Sequence, residues 1–192
     1  MQYDSRTALI VVDVQNDFAD PKGSLYVAGG EESIGFVNAQ IDAAATAGAN
    51  LVYTQDWHPP STPHFEKDGG IWPVHCVADS PGARFHPDLD VVESATFIRK
   101  GVGGEDGYSA FHVRDPATGE VSPTGLAGRL EGIEKVVVVG LALDYCVKET
   151  AVDAAASFQT MVLADGTRAV NLSPGDGARA VAEMVSAGVA IG

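Results

Sequence analysis

The chain has 192 residues, of which 45% are hydrophobic, so it is long enough to bury one sizeable core without a second domain. Its 12 Lys and Arg residues against 26 Asp and Glu residues give a formal net charge of −14, which disfavours nucleic acid and anionic membrane surfaces as partners. No apolar run approaches the roughly 20 residues of a bilayer span and the N-terminus shows no secretory pattern, so we predict one cytoplasmic domain over residues 1–192.

The first third of the chain predicts alternating strands and helices. Residues 7–12 are apolar and rich in β-branched side chains, which predicts a strand buried on both faces that ends at Asp13. Residues 31–47 place apolar side chains at helical spacing and are followed by a glycine, which predicts a helix and its C-terminal end. Residues 50–53 predict a second strand, which leads into Asp56.

The segment after the second strand concentrates possible metal ligands. Asp56 and His58 are two residues apart and so lie side by side on an extended segment, and proline-stiffened loops then supply His64 and His75. Three imidazoles and one carboxylate suit a divalent transition ion. Cys76 has no second cysteine nearby, so we expect an ion with open positions rather than a closed structural zinc site. The alternative is a surface loop that is merely rich in histidine.

The rest of the chain continues the alternation of strands and helices. Residues 96–99 predict a strand that delivers Lys100 to a glycine-rich loop. Four consecutive valines mark a strand at residues 135–139, and Cys146 follows at the start of a helix that we expect to run to about Ser157. Further elements are predicted at residues 160–164 (strand), 174–187 (helix) and 189–191 (short strand).

This alternation predicts a three-layer α-β-α fold of the α/β class with a mainly parallel central sheet. In such sheets, ligands bind beyond the carboxyl ends of the strands. Asp13, Asp56, Lys100 and Cys146 all follow predicted strands directly or within a short loop. The architecture therefore predicts that one site holds all four residues.

The four residues suggest a catalytic apparatus. At a helix start, unpaired N–H groups would favour the thiolate of Cys146, which would make it a nucleophile. Asp13 could then take and return a proton, and Lys100 could stabilise the ionised pair. Each residue also has a plainer explanation, as a turn residue, a surface lysine or a buried apolar thiol. Their coincidence at one sheet edge favours catalysis.

Four segments of the chain resemble the nicotinamidase branch of the isochorismatase-like cysteine hydrolases. They are residues 8–18 (ALIVVDVQNDF), 54–59 with 72–76 (TQDWHP, WPVHC), 97–101 (FIRKG) and 140–147 (GLALDYCV). The resemblance covers nearly the whole chain. It implies catalytic roles for Asp13, Lys100 and Cys146, and it implies that the metal ligands are Asp56, His58, His64 and His75.

The resemblance also implies a reaction, the hydrolysis of nicotinamide to nicotinate and ammonia through a thioester on the cysteine. The pyridine nitrogen would bind the metal. A cis peptide would join Leu141 to Ala142, and the N–H groups of Ala142 and Cys146 would form the oxyanion hole. The side chains implied to line the ring pocket are Phe18, Trp72 and Tyr108.

The expected cofactor is one divalent metal ion, with zinc favoured and iron or manganese also compatible with the ligand set. The expected partner is a small aromatic amide, and the sequence is compatible with a homo-oligomer. Two rival functions stay open at this point. One is a related cysteine hydrolase that acts on ureido, carbamoyl or other small amides, and the other is a metal-binding protein without turnover.

Overall fold

A parallel sheet forms the centre of the computed structural model, which describes residues 2–192. Its two central strands consist mainly of Val, Ile, Leu and Ala, the composition expected for strands covered on both faces. The strands in chain order are β1 (Thr7–Val12), β2 (Asn50–Asp56), β3 (Thr96–Lys100), β4 (His112–Arg114), β5 (Val121–Pro123), β6 (Lys135–Leu141), β7 (Gln159–Arg168) and β8 (Ala190–Ile191).

The order of the strands determines where a ligand can bind. Within the described residues, six strands form the sheet in the order β3-β2-β1-β6-β7-β8, and all neighbouring pairs are parallel. The chain builds outward from β1 in one direction and then returns to place β6 on the other side of β1. This reversal is a topological switch point, and it opens a crevice beyond the carboxyl ends of β1 and β6.

Helices cover both faces of the sheet and complete the three layers. They are α1 (Asn16–Ala19), α2 (Gly30–Thr46), α3 (Leu126–Arg129), α4 (Lys148–Ala155) and α5 (Asp176–Ser186). The apolar side of α2 packs with the Leu9 and Val11 side of β1, whereas α4 and α5 pack with the Ala8 and Ile10 side. Successive strand residues therefore point into different halves of the core, as the two-residue period of a strand requires.

The predicted elements agree with the structure, with differences at their ends. The strand predicted over residues 50–53 continues to Asp56, because its pairing with β3 holds the backbone extended that far. The helix expected to reach Ser157 ends at Ala155, and it directly continues a π-helical turn, Leu143–Val147. The three-layer fold with a mainly parallel sheet is confirmed.

The short elements of the structure were not predicted from the sequence. The helices α1 and α3 have four residues each, too few to show a helical period. The antiparallel hairpin of β4 and β5 is equally short, and its strands are largely polar and exposed. None of these segments carries the buried apolar run that identified the sheet strands.

No helix within residues 2–192 combines the length and apolar character needed to cross a membrane.

Candidate active site

The switch point brings together residues that lie far apart in the sequence. Asp13 follows β1 directly, while Asp56 and Lys100 are the last residues of β2 and β3. Cys146 lies in the turn between β6 and α4. One oxygen each of Asp13 and Asp56 and the sulfur of Cys146 all lie within 4.8 Å of one another. The predicted convergence of the four residues is therefore present.

Asp13 and Lys100 form a buried ion pair at the base of the site. Lys100 Nζ lies 2.7 Å from Asp13 Oδ2, and both side chains are fully enclosed. Lys100 Nζ also donates to the carbonyl oxygen of Gly107 at 2.5 Å, and the Thr54 hydroxyl donates to Asp13 Oδ1 at 2.6 Å. Asp13 has a φ of 49°, which is costly for a residue other than glycine. These contacts hold its carboxylate in one position.

Burial and charge act against each other on this pair. Burial raises the pKa of Asp13, and the positive charge of Lys100 opposes that rise. For Lys100, burial alone would lower the pKa, but the carboxylates of Asp13 and Asp56 raise it well above its usual value. Lys100 therefore stays charged, and Asp13 is a stronger base than an exposed aspartate.

Cys146 differs from the prediction in its protonation. The helix-start argument predicted a stabilised thiolate, and Cys146 does lie in the first, π-helical turn of the helical segment that continues as α4. Burial raises the pKa of its thiol well above the usual value, and Lys100 only partly opposes this effect. Burial therefore favours the thiol over the thiolate, so a base is needed to form the nucleophile. Asp13 is close enough to accept its proton.

The backbone before Cys146 has the conformation that the resemblance implied. The peptide bond between Leu141 and Ala142 is cis, and Ala142 lies in the wall of the same cavity as Cys146. Gly140 has a φ of 110°, and an added Cβ there would lie 2.1 Å from the carbonyl oxygen of Val12. Only glycine fits at this point, where β6 pairs with the last residue of β1.

The four predicted metal ligands form one cluster. His58, His64 and His75 each present a ring nitrogen, and these three atoms lie within 4.8 Å of one another. Asp56 Oδ2 lies 3.7 Å from His58 Nε2 and 3.8 Å from His75 Nε2. All four side chains are buried. The histidine segment is therefore part of the interior of the site, which excludes the alternative of an exposed histidine-rich loop.

The chemistry of this cluster fits a divalent cation. Both ring nitrogens of His58 are buried without a hydrogen-bond partner within residues 2–192. Unpaired polar atoms at such depth are costly unless a ligand satisfies them. Although burial alone would raise the pKa of Asp56, Lys100 and the neighbouring imidazoles lower it well below its usual value. A carboxylate beside three imidazoles is a donor set for a transition ion.

Aromatic side chains enclose the space between the histidines and Cys146. Phe18, Trp72 and Tyr108 all line this cavity. Trp72 Nε1 donates to the Tyr108 hydroxyl at 2.8 Å, and the Tyr145 ring packs edge-on against Trp72 with centroids 4.8 Å apart. The three predicted pocket residues therefore lie together in walls that suit a flat ring.

Sequence reasoning missed several residues that hold the site. Thr54 binds the carboxylate of Asp13, and the side chain of Gln15 bonds both the N–H and the carbonyl of Asp56 at 2.8 Å. Tyr145 also lines the cavity, and its place directly before Cys146 in the sequence was a signal that could have identified it. Asp106 accepts a hydrogen bond from His64, but its position in an irregular loop gave no comparable signal.

Comparisons with known proteins agree over almost the full length. A sequence model described as the isochorismatase domain matches residues 7–191. A nicotinamidase from Escherichia coli is 36% identical over 203 residues, which cover 96% of this chain and 93% of that protein.

Solved structures show the same similarity in three dimensions. The pyrazinamidase of Pyrococcus horikoshii in complex with zinc has a TM-score of 0.85 and 38% identity, covering 97% of this chain and 98% of its own. PnC1 from L. infantum in complex with nicotinate has a TM-score of 0.88 and 39% identity, covering 100% of this chain and 94% of its own.

Proposed function

This chain belongs to the isochorismatase domain family, and within that family we propose that it is a nicotinamidase. It would hydrolyse nicotinamide to nicotinate and ammonia. The observation that carries the proposal is the position of a single aromatic cavity. Its wall includes Cys146, whose thiol adjoins Asp13, and it also includes three of the four clustered metal ligands, Asp56, His64 and His75. A planar heteroaromatic amide can reach both groups at once.

The first half of the reaction would use Asp13 as base and then as acid. Asp13 takes the proton of the Cys146 thiol while the sulfur attacks the amide carbon. The N–H groups of Ala142 and Cys146 stabilise the resulting oxyanion. Asp13 then transfers the proton to the amide nitrogen, the C–N bond breaks, and ammonia leaves behind a thioester on Cys146.

The second half would repeat these steps with water. Asp13 takes a proton from the attacking water as the oxygen bonds to the thioester carbon. The carbon–sulfur bond breaks, and the sulfur recovers its proton from Asp13. Lys100 keeps its charge throughout, because it is bonded to Asp13 and to the Gly107 carbonyl. The acid is released and the resting thiol is restored.

A divalent ion would be held by Asp56, His58, His64 and His75. When bound, it would supply an electrophilic site for a heteroaromatic nitrogen and add positive charge to one end of the cavity. Zinc is our first candidate because of the donor set, and the zinc complex of the Pyrococcus horikoshii pyrazinamidase supports that choice.

The proposal is tested by ammonia release from nicotinamide with purified protein, before and after chelation and after metal is restored. We expect release that chelation abolishes and zinc restores, and little release from a carbamoyl amide. Cys146→Ala should abolish release while its metal content stays that of the wild type. Substantial turnover by that variant would refute the covalent route, and inactivity of the metal-loaded wild type on nicotinamide would refute the assigned substrate.

A further inference from the structure

The carboxylate of Asp106 contacts the outer side of the histidine cluster. Its Oδ1 atom lies 2.6 Å from His64 Nδ1, although the two residues are 42 positions apart in the sequence. The His64 side chain is 4% exposed and that of Asp106 is 25% exposed, so the contact is shielded from water on the histidine side. A shielded hydrogen bond to a carboxylate is stronger than one at the surface.

This contact determines which nitrogen of His64 is free. A carboxylate oxygen can only accept a hydrogen bond, so Nδ1 carries the proton and Nε2 keeps its lone pair. His75 is arranged similarly, since its Nδ1 lies 2.8 Å from the carbonyl oxygen of Pro73. His58 differs, because neither of its ring nitrogens has a hydrogen-bond partner within the described part of the chain. His64 is thus oriented by a charged group and His75 by a neutral one.

The backbone around Asp106 is fixed by the β4–β5 hairpin. Asp106 N donates to Arg114 O at 2.8 Å, and Arg114 N donates to Asp106 O at 2.9 Å. The loop that carries His64 is joined to the Asp106 loop a second time, because the Thr62 hydroxyl donates to the carbonyl oxygen of Gly104 at 2.7 Å. The hairpin therefore sets the position of the carboxylate relative to His64.

We propose that Asp106 is a positioning residue of the metal site, acting through His64. It fixes the tautomer and ring orientation of His64 and makes the imidazole a stronger donor to a divalent cation. This inference rests on the proposed function, because it concerns the metal site on which that function depends. Asp106 would not touch the substrate or the ion.

The test measures Zn²⁺ affinity by competition with a chromophoric chelator. Asp106→Asn keeps the size of the side chain but removes its charge and allows it to donate to Nδ1, which would place the proton on Nε2. We expect affinity to fall about 10- to 100-fold, the usual effect of removing such a partner. Glu105→Gln is the matched control, since it removes one negative charge from the adjacent residue, and we expect affinity within a factor of two of wild type.

A double-mutant cycle distinguishes positioning from a general loss of structure. If Asp106 acts through His64, then Asp106→Asn should cause no further loss of affinity in a His64→Ala background. An equal loss in that background, an unchanged affinity for Asp106→Asn alone, or an equal loss for Glu105→Gln would each overturn the inference. Thermal unfolding of the metal-free variants should give similar midpoints.

The outcome for Asp106 can be separated from that for the proposed function. If wild-type protein binds Zn²⁺ but does not release ammonia from nicotinamide, the proposed substrate is wrong, and the affinity cycle still decides the role of Asp106. If wild-type protein binds no Zn²⁺, the inference and the metal-dependent function are both wrong.

Discussion

At the scale of single residues, the site is built around a buried charge pair. Asp13 and Lys100 are fully enclosed, and isolated charges at such depth would be strongly unfavourable. The pair is tolerated because Lys100 Nζ bonds both Asp13 and the Gly107 carbonyl. It also lies 2.8 Å from Asp56 Oδ1, a charge contact without the geometry of a hydrogen bond. Such an arrangement is costly for stability, which is typical of a group retained for chemistry.

The proton-carrier role that we propose for Asp13 predicts a large kinetic defect in Asp13→Asn. The amide of Asn cannot take the proton of the Cys146 thiol, and burial makes that proton harder to lose. We therefore expect kcat/KM for nicotinamide to fall about 10²- to 10⁴-fold. Steady-state ammonia assays measure the rate, and circular dichroism checks that the variant is folded. Asp88→Asn, at a side chain that is 81% exposed, is the control and should be unaffected. A near-normal rate for Asp13→Asn would exclude Asp13 as the proton carrier.

At the scale of elements, the ends of the strands, rather than their interiors, position the residues of the site. Strands β1, β2 and β3 stop where Asp13, Asp56 and Lys100 reach the crevice, and the next backbone positions are tightly constrained. Gly101 follows β3 with a φ of 71°, and an added Cβ would lie 2.5 Å from His58 Nδ1. The imidazole of His58 thus packs against a backbone position that only glycine leaves open.

Gly101→Ala should therefore displace His58, one of the proposed metal ligands. A shift of about 1 Å in a positioned group can cost about 100-fold, and we expect losses of that order in Zn²⁺ affinity and in kcat/KM. Gly119→Ala is the matched control, because Gly119 has a similar φ of 73° but nothing within 4 Å of an added Cβ. Both variants carry the backbone strain, so equal metal affinities in the two would show that the His58 contact is unimportant.

At the scale of the whole molecule, the dominant feature is the charge of −14 on 192 residues. Exposed carboxylates repel one another more in the compact state than in the expanded unfolded chain, so the net charge destabilises the fold. The buried parallel sheet and the two halves of the core oppose this repulsion. Assembly into a homo-oligomer stays a prediction, and so does residence in the cytoplasm.

Screening of this repulsion should raise thermal stability. On going from about 0.02 M to 0.5 M NaCl, where the Debye length shortens severalfold, we expect a gain near 1 kcal/mol, or roughly 2–4 °C in Tm. Differential scanning calorimetry of the metal-free protein at the two salt concentrations measures this change in Tm. Replacing the exposed Glu93, Glu120 and Glu131 with Gln should reduce the response. A Tm that is constant or falls with added salt would contradict the argument.

The sequence by itself determined the sheet strands, the main helices and the residues at the strand ends. Buried strands need continuous apolar runs, and parallel topology collects their carboxyl ends at one edge, so Asp13, Asp56, Lys100 and Cys146 could be expected to meet there. The histidine spacing similarly indicated a metal site. These features follow from local sequence patterns and from the topology that parallel α/β folds share.

Only the tertiary structure decided the contacts between loops and the protonation of buried groups. The bond between Asp106 and His64 depends on the path of an irregular loop and on a polar hairpin, neither of which leaves a periodic signal. The thiol state of Cys146 depends on how much water and charge surround it, which overrides its nearness to a helix start. Desolvation and long-range contacts are properties of the packed molecule, so no local pattern could supply them.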